Sequence, residues 1–466
     1  MTSKLDHQHN YKFHFSGICG AGMGNVAILL HQAGYSIKGS DGSYFPPMSD
    51  QLKLLGVKLF DSYNHNNITS DFTPDIQVIS NVLSKNHEEV LAGKEHEISY
   101  MSFPEVLEKF ILAERDNIVV AGTHGKTTTS SLLSRMLSSL NPGFFIGGVM
   151  KDNQPGCELG DPKAPFVIEG DEYDTAYFDK HSKFLHYKPK YVILTYLEWD
   201  HVDIFPTFEK MISEFRSLLE IIPEDGCVVY CGDQPILKDL LENQPFKTIS
   251  YGFNPQNDVI IGEITKNGSK RNIEINSGDE QVGIETTLFG NIYVSNLTAA
   301  WTMARHIGLN HEEIIENFGS FEGAKRRLEL INSKPFLIYS DFAHHPTAIE
   351  ATIRILLEEY PNKKIWAIFD PRNATSRRNV FAENIIKALN LAHKVSIGPV
   401  IEDNRIPESE RFNTQEVASQ IGPKAKAYTD SFQLENECLE HNDPDTVMVI
   451  MSCGAFHGIL TKLQNR

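Results

Sequence analysis

Positive charge is what this sequence most lacks: 43 Lys and Arg stand against 61 Asp and Glu, for a formal net charge of -18 at pH 7. Non-specific binding to nucleic acid and to anionic membranes both rest on an excess of basic residues, so neither is expected, and any anionic ligand must be held by local groups. Cysteine is also scarce. The six, at positions 19, 157, 227, 231, 438 and 453, show no framework spacing, and Met1 to His7 carries no apolar signal core. A reducing cytoplasm is the expected setting. Cys227 and Cys231 alternate onto one face of a strand and, with no second pair near them, read as buried thiols rather than zinc ligands. No apolar run reaches the ~20 residues of a membrane helix. What remains is ordinary globular composition over 466 residues, 41% hydrophobic and 22% charged, enough for two to four domains.

The stretch Ile118-Val-Val-Ala-Gly-Thr-His-Gly-Lys-Thr-Thr-Thr129 organises the rest. Four apolar residues read as a buried parallel strand. A glycine turn follows, and Thr127 to Leu140 reads as a helix with Leu132, Leu133, Met136 and Leu137 on one face. Strand, glycine turn, Lys, Thr and helix is the order of a phosphate loop. Backbone N–H groups meet the anion, Lys126 reaches the outer phosphates, and the Thr127 hydroxyl can hold magnesium. Val120 stands where the longer form of the motif has its first glycine, so the match is to the shorter G-T-H-G-K-T. The plain alternative is an ordinary turn with a solvated lysine.

Before this loop, Lys12 to Ser16, the glycines from Gly17 to Gly24, a helix from Val26 to Gln32 and Ser36 to Asp41 read as strand, glycine turn, helix and acid-ended strand. Alone they suggest a nicotinamide dinucleotide site, but such a turn serves any pyrophosphate. Ile76–Ile79 is a further strand and Phe103 to Phe110 a helix. After the loop, Phe166-Val-Ile-Glu169-Gly-Asp-Glu172-Tyr-Asp174 and Tyr191 to Asp203 are strands ending in acids, where open parallel sheets place ligands and where oxygen and imidazole groups suit magnesium. Residues 225 to 290 are β-rich, and a helix from Asn296 to His306 follows. The triplet Lys325-Arg-Arg327 would by itself be a solvated charge run. Strands ending in Asp341, Asp370 and Ser452 then alternate with helices, and His344 and His345 read as nucleotide or substrate contacts.

With these motifs in order, the chain resembles the Mur ligases, the ATP-dependent amide-forming enzymes of peptidoglycan synthesis. The resemblance runs over G-x-x-G-x-G-M, G-T-H-G-K-T-T, E-x-D-E-x-D, D-H-x-D, F-x-G-x-x-R-R and D-F-A-H-H-P. It implies an α/β protein of three domains: a Rossmann-like UDP-sugar domain (1–114), a central phosphate-loop ATPase domain (115–322) and a C-terminal α/β domain (323–466). It further implies UDP-sugar contacts at Gly17, Gly20, Gly22 and Asp41, and ATP contacts at Gly122, Thr123, His124, Gly125, Lys126, Thr127, Thr128, Asn296, Arg327 and Asp341. Mg2+ would be held by Thr127, Glu169 and His201, with Lys126, His201 and His344 catalytic and Arg372 clamping a substrate carboxylate.

Tyr44-Phe-Pro-Pro-Met-Ser49, Glu172 to Lys180 and Ser182 to Tyr187 look like the branch that joins UDP-N-acetylmuramate to the recycled murein tripeptide L-alanyl-γ-D-glutamyl-meso-diaminopimelate. The near relative adds L-alanine instead, and a nucleotide-regulated binding protein without turnover is a third alternative. Three departures stand out. Ile292 and Tyr293 replace the family's His and Asn, so base recognition falls to Asn296, to stacking on Tyr293 or to another group. Tyr196 replaces an Asn before the D-H motif, and Asp370-Pro-Arg-Asn-Ala-Thr only approximates the relative's pattern.

Overall fold

The computed structural model describes residues 10–44, 46, 48–147, 155–319, 321, 323–401, 405–454 and 456–465. Phe45 and Pro47 of the Tyr44–Ser49 stretch, Ser320 and Glu322 beside the basic triplet, and the N-terminal residues 1–7 therefore lie outside the described residues. Three principal sheets form among the described residues, and the chain divides into two compact units. The first holds Met1–Leu197, Glu209–Leu288 and Tyr293–Glu322. The second holds Glu198–Phe208, Phe289–Ile292 and Gly323–Arg466.

In the first unit, five parallel strands run in the order Lys58–Phe60, Ser36–Ser40, Lys12–Ser16, Ile76–Ile79, Ser99–Met101. Lys12–Ser16 sits in the middle and is covered on both faces, so His14 between Phe13 and Phe15 is as buried as they are. The helix after the glycine turn begins at Ala21, five residues earlier than the apolar run suggests. Within it Gly24 leaves room for Met48 to pack closely: a Cβ would lie 2.1 Å from Met48 Sδ. The helix at Phe103 opens on a capping box formed by Ser102 and Glu105, and after Leu107 it widens into a π-helical turn at Glu108–Leu112.

The second sheet of this unit has ten strands. Asn117–Ala121 lies between Pro189–Leu194 and Phe166–Glu169, all three parallel. The phosphate loop, the acids after Glu169 and Thr195-Tyr196 thus emerge side by side at one sheet edge, which is the reason motifs far apart in sequence meet. Cys227–Cys231 and Lys247–Gly252 continue the parallel part. Val259–Asn267, Lys270–Ser277 and Glu280–Thr286 add an antiparallel meander that begins with a parallel pairing to Lys247–Gly252. Cys227 and Cys231 are buried as expected, and burial raises their thiols to about 12 and about 11. The helix after the loop spans Lys126–Met136 and tightens into a 3-10 turn at Ser138–Leu140, with Asn141 left-handed at φ 51. Leu132, Leu133, Met136 and Leu137 form its buried face. The later helix begins at Asn291, ahead of the expected Asn296, because Gly290 (φ 93) turns the chain into it and Tyr293, Val294 and Leu297 extend its buried face.

In the second unit six strands run Glu329–Asn332, Leu337–Asp341, Thr446–Met451, Lys364–Phe369, Lys394–Ile397, Ala425–Ala427. All neighbours are parallel except the first pair. Asp341, Asp370 and Ser452 accordingly gather at the carboxyl ends of three adjacent strands. The basic triplet is not a solvated run. Arg326 has positive φ (58), is largely removed from water, lies against the Phe342 ring and donates to the Ser452 carbonyl.

Candidate active site

The phosphate loop is shaped by two glycines that no other residue replaces without strain: Gly122 at φ 132 and Gly125 at φ 86, the latter capping the following helix. It is laced to the neighbouring strand end. Thr123 N–H donates to the Tyr196 carbonyl at 2.6 Å, and the Thr195 hydroxyl donates to the His124 carbonyl at 2.5 Å and the Ala121 carbonyl at 3.2 Å. A Cβ on Gly125 would lie 2.4 Å from Asn296 Oδ1, so the Asn296 amide packs against the loop backbone. His124 and Tyr196 rings stand 5.8 Å apart. Thr128, in the first helical turn, is buried.

Each acid after strand Phe166–Glu169 has its own partner. Glu169 accepts from the Thr127 hydroxyl at 2.8 Å and, through its other oxygen, from Gly147 N–H at 2.7 Å. Glu172 takes Lys126 Nζ with both oxygens, at 2.8 and 2.7 Å, while that ammonium also donates to the Gly122 carbonyl at 2.7 Å. Asp171 pairs with Lys183 at 2.6 Å, and Asp174 with Lys180 at 2.6 Å. Burial opposes the charge on Lys126, but Glu172 outweighs it, with Asp171 and Glu169 adding to it, and the net shift is upward. Asp171 is likewise pushed up by burial and pulled further down by Lys183 and Lys126. The Thr127 hydroxyl, in the first turn of a helix, and the Glu169 carboxylate, at the end of a neighbouring strand, are a pair of hard oxygen donors, which suits magnesium. The adjoining amide-rich turn suits a phosphate chain.

At the other glycine turn, Gly17 has φ 90, its N–H donates to the Ser40 carbonyl at 2.8 Å, and a Cβ there would lie 2.8 Å from Ser80 Cβ. Gly20 precedes the first helix, and Gly22 faces the Phe103 ring, 3.3 Å from where its Cβ would be. Asp41 pins this turn by accepting from Cys19 N–H at 2.8 Å and from the Tyr63 hydroxyl at 3.4 Å.

The second unit collects the remaining expected residues. His201 is buried at positive φ (52), and its N–H donates to Asp200 at 2.6 Å. Asp200 also faces His344 Nε2 at 3.7 Å. Burial would raise this carboxyl, yet His344 and His201 hold it well below the usual range. His344 Nδ1 bonds the Phe342 carbonyl at 2.9 Å, which fixes its ring. His345 reaches the Trp199 carbonyl at 3.2 Å and Glu198 at 3.1 Å. Asp341 accepts from Leu328 N–H at 2.6 Å and Ala343 N–H at 2.8 Å, so its carboxylate shapes the turn that carries the histidines. Arg327 lies 4.7 Å from the Phe342 ring centroid. Arg372 is 3.9 Å from Asp370, which accepts the Ser452 hydroxyl at 2.6 Å, and a Cβ on Gly454 would lie 2.5 Å from its side chain.

The structure thus brings Lys126, Thr127, Glu169 and Asn296 together in one unit, and His201, His344, Asp341 and Arg327 in the other. Sequence reasoning did not single out Glu172 as the partner of Lys126, Thr195 as the fastener of the loop, Lys183 as the partner of Asp171, or Asp200 as the bridge between His201 and His344. Four acids in six residues signal a site, but the sequence does not say which acid meets which base.

A phosphate loop within the parallel part of a mixed sheet, beside acidic strand ends and followed by a further α/β sheet, is the arrangement of a nucleotide-dependent enzyme, and similarity to known proteins makes that enzyme a ligase of the Mur type. Family models described as Mur ligase family catalytic domain, Mur ligase middle domain and Mur ligase glutamate ligase domain match residues 12–115, 120–304 and 326–454. The chain belongs to the Mur ligase family. It is 34% identical over 465 residues, 97% of each chain, to UDP-N-acetylmuramate–L-alanyl-γ-D-glutamyl-meso-2,6-diaminoheptandioate ligase of Escherichia coli K12. The Haemophilus influenzae protein of the same name is 31% identical over 97% of this chain and 98% of its own. Among solved structures, a murein peptide ligase from Psychrobacter arcticus superposes with a TM-score of 0.74 at 29% identity over 98% of both chains. The UDP-N-acetylmuramate–alanine ligase of Thermotoga maritima reaches a TM-score of 0.79 at 20% identity over 98% of this chain and 99% of its own, a likeness of fold alone. No described helix is long and apolar enough to cross a membrane.

Proposed function

We propose that this chain joins the lactyl carboxylate of UDP-N-acetylmuramate to the α-amine of L-alanyl-γ-D-glutamyl-meso-diaminopimelate, using ATP, in the cytoplasmic recycling of peptidoglycan. The observation that carries this reading is the 31–34% identity over 97% of the chain with relatives named for that reaction, in a chain where Thr127 bonds Glu169 and Lys126 stands beside them at the phosphate loop. We take the domain boundaries as 1–114, 115–322 and 323–466.

A carboxylate is a poor electrophile, and bound ATP with Mg2+ supplies the phosphoryl group that turns it into an acyl phosphate. In this reading Lys126 leaves Glu172 for the terminal phosphate and neutralises charge as two anions approach. The loop amides from Gly122 to Thr128 cradle the phosphates, with Asn296 bracing the loop from behind. Thr127, Glu169 and His201 are assigned to magnesium. Arg327 and Asp341 are assigned to the nucleotide, Gly17, Gly20, Gly22 and Asp41 to the UDP-sugar, and Arg372 to a substrate carboxylate. Asp200 holds His344 in one orientation beside the reacting groups. The amine must be neutral and water kept out as it attacks.

The test is ADP release with UDP-N-acetylmuramate present, offering tripeptide or L-alanine in turn. Release with tripeptide at a far higher kcat/KM supports the reading. Release with L-alanine alone would replace it by the alanine ligase, and no release with either would leave a nucleotide-regulated binding protein.

A further inference from the structure

A cleft of about 940 Å³ opens in the second unit beyond the carboxyl ends of strands Lys394–Ile397 and Ala425–Ala427. That is the edge at which parallel sheets hold ligands, and the volume suits a small organic molecule. Its walls are built rather than incidental. Phe412 N–H donates to the Arg377 carbonyl at 2.9 Å, Asn379 donates to the Ser409 carbonyl at 2.8 Å, and Arg378 pairs with Glu410 at 2.6 Å. These contacts hold the segment after strand Lys364–Phe369 against the segment after strand Lys394–Ile397.

The lining carries both signs of charge. Arg377 and Arg411 are half-buried, whereas Glu383, Glu408 and Glu416 are exposed. Arg377 stands five positions after Arg372 in one folded turn, where Asn373 accepts from Ser376 N–H at 2.8 Å and Arg377 N–H at 3.1 Å. That turn links the cleft wall at Arg377 to the expected carboxylate clamp, although Arg372 itself does not line the cleft.

We propose that this cleft is the subsite for the distal residue of the peptide substrate, a diamino dicarboxylic acid, with Arg377 and Arg411 receiving its carboxylates and Glu383 and Glu416 its free ammonium. The inference rests on the tripeptide reading above. Three residues in extended form span about 10 Å, and a γ-linkage lengthens them, so the far end of the peptide needs a site well removed from the amine that reacts. Guanidinium suits carboxylate through paired N–H donors, and half-burial strengthens the contact, whereas exposed glutamates at the rim suit a solvated ammonium.

The experiment compares three amine substrates: the tripeptide, its analogue with lysine in place of the diamino dicarboxylic acid, and the dipeptide L-alanyl-γ-D-glutamate. In Arg411→Gln and Arg377→Gln the tripeptide KM should rise at least about tenfold, and the rise should be several times smaller for the lysine analogue, which lacks the distal carboxylate, and for the dipeptide. Arg411 also donates to the Ile406 carbonyl, so Glu383→Gln, at an exposed position, is the second variant. It should raise the KM of the tripeptide but not that of a tripeptide acetylated on its distal amine. Equal KM changes for dipeptide and tripeptide, or none for the tripeptide, overturn the subsite while leaving the ligase reading intact. A wild-type protein that ligates L-alanine and not the tripeptide overturns both, and the ADP-release assay separates the two cases.

Discussion

Lys126 is the residue on which the chemistry turns, and its surroundings state its job. Two carboxylate oxygens and a carbonyl surround the ammonium, so it is held charged and aimed until a stronger anion displaces Glu172. Lys126→Ala should lower kcat/KM for ligation by about a hundredfold or more, since one charge contact to a developing anion in a dry site is worth several kcal/mol. Glu172→Gln separates the roles of the acids. Burial alone depresses a lysine, and Glu172 is what raises this one, so its removal lets Lys126 lose its proton at lower pH. The alkaline limb of the pH–rate profile should then move toward neutrality, with the magnesium requirement unchanged. Glu169→Gln should instead raise the magnesium concentration needed for half-maximal activity, because it removes a charge beside Thr127. A magnesium titration of both variants checks this, and a larger shift for Glu172→Gln would reverse the assignment.

Between residues and the molecule stand the turns that aim them. Gly125 has positive φ and no room for a methyl group beside Asn296, so Gly125→Ala should cost about 1–3 kcal/mol of backbone strain and displace the loop. Nucleotide affinity should fall more than thermal stability, which calorimetric titration with ATP and a melting curve measure together. The N-terminal sheet has a comparable anchor in Glu89. It accepts from Ser16 at 2.8 Å, Ser40 at 2.5 Å, Asn67 at 2.9 Å and Asn64 N–H at 3.2 Å, with His14 at 3.4 Å, and so joins two strands, a turn and a helix. Burial opposes its charge, but the hydrogen bonds from His14, Ser40 and Asn67 hold its pKa at about 2. A depressed carboxyl gives stability that is present above its unfolded value of about 4.3 and lost as pH falls through about 2, on the order of 3 kcal/mol. His14, which burial shifts down, acts in the same sense, since the unfolded chain takes its proton first. Urea unfolding at pH 7 and pH 3.5 should show Glu89→Gln less stable at pH 7 and less sensitive to acid than wild type. Parallel acid slopes would refute the anchor.

Across the whole molecule the charge of -18 faces substrates that are themselves anions. Long-range repulsion slows their approach, while the local groups that bind them are recessed and screened less by salt. Raising ionic strength from about 0.02 to 0.15 M should therefore raise kcat/KM for UDP-N-acetylmuramate modestly, about two- to threefold, with kcat unchanged. A monotonic fall would mean that a local positive field governs encounter.

The sequence by itself determined the class of fold and the order of its parts, because strand, glycine turn and helix are short-range patterns: buried runs, a glycine that must be left-handed, an amphipathic face. Lys126 and Thr127 stand out as candidates for the same reason, each lying at a fixed offset from the glycine turn, whereas Glu169 is singled out among its neighbouring acids only by the family resemblance. Two helices start ahead of their apolar runs, at Ala21 and Asn291, where small or buried residues extend them. The pairings only the tertiary structure decided. Glu172 meets Lys126 because parallel neighbours bring separate strand ends to one edge of the sheet, and Asp171 meets Lys183 because the antiparallel hairpin of Asp174–Ala176 and Asp179–Ser182 folds the chain back on itself. Asp200 meets His344 because the segment Glu198–Phe208 folds with the second unit and not with the strand that precedes it. Likewise Arg326, in a run that composition alone assigns to solvent, is drawn inward by Phe342 and Ser452, contacts that span up to 126 positions in the chain and leave no trace in local sequence.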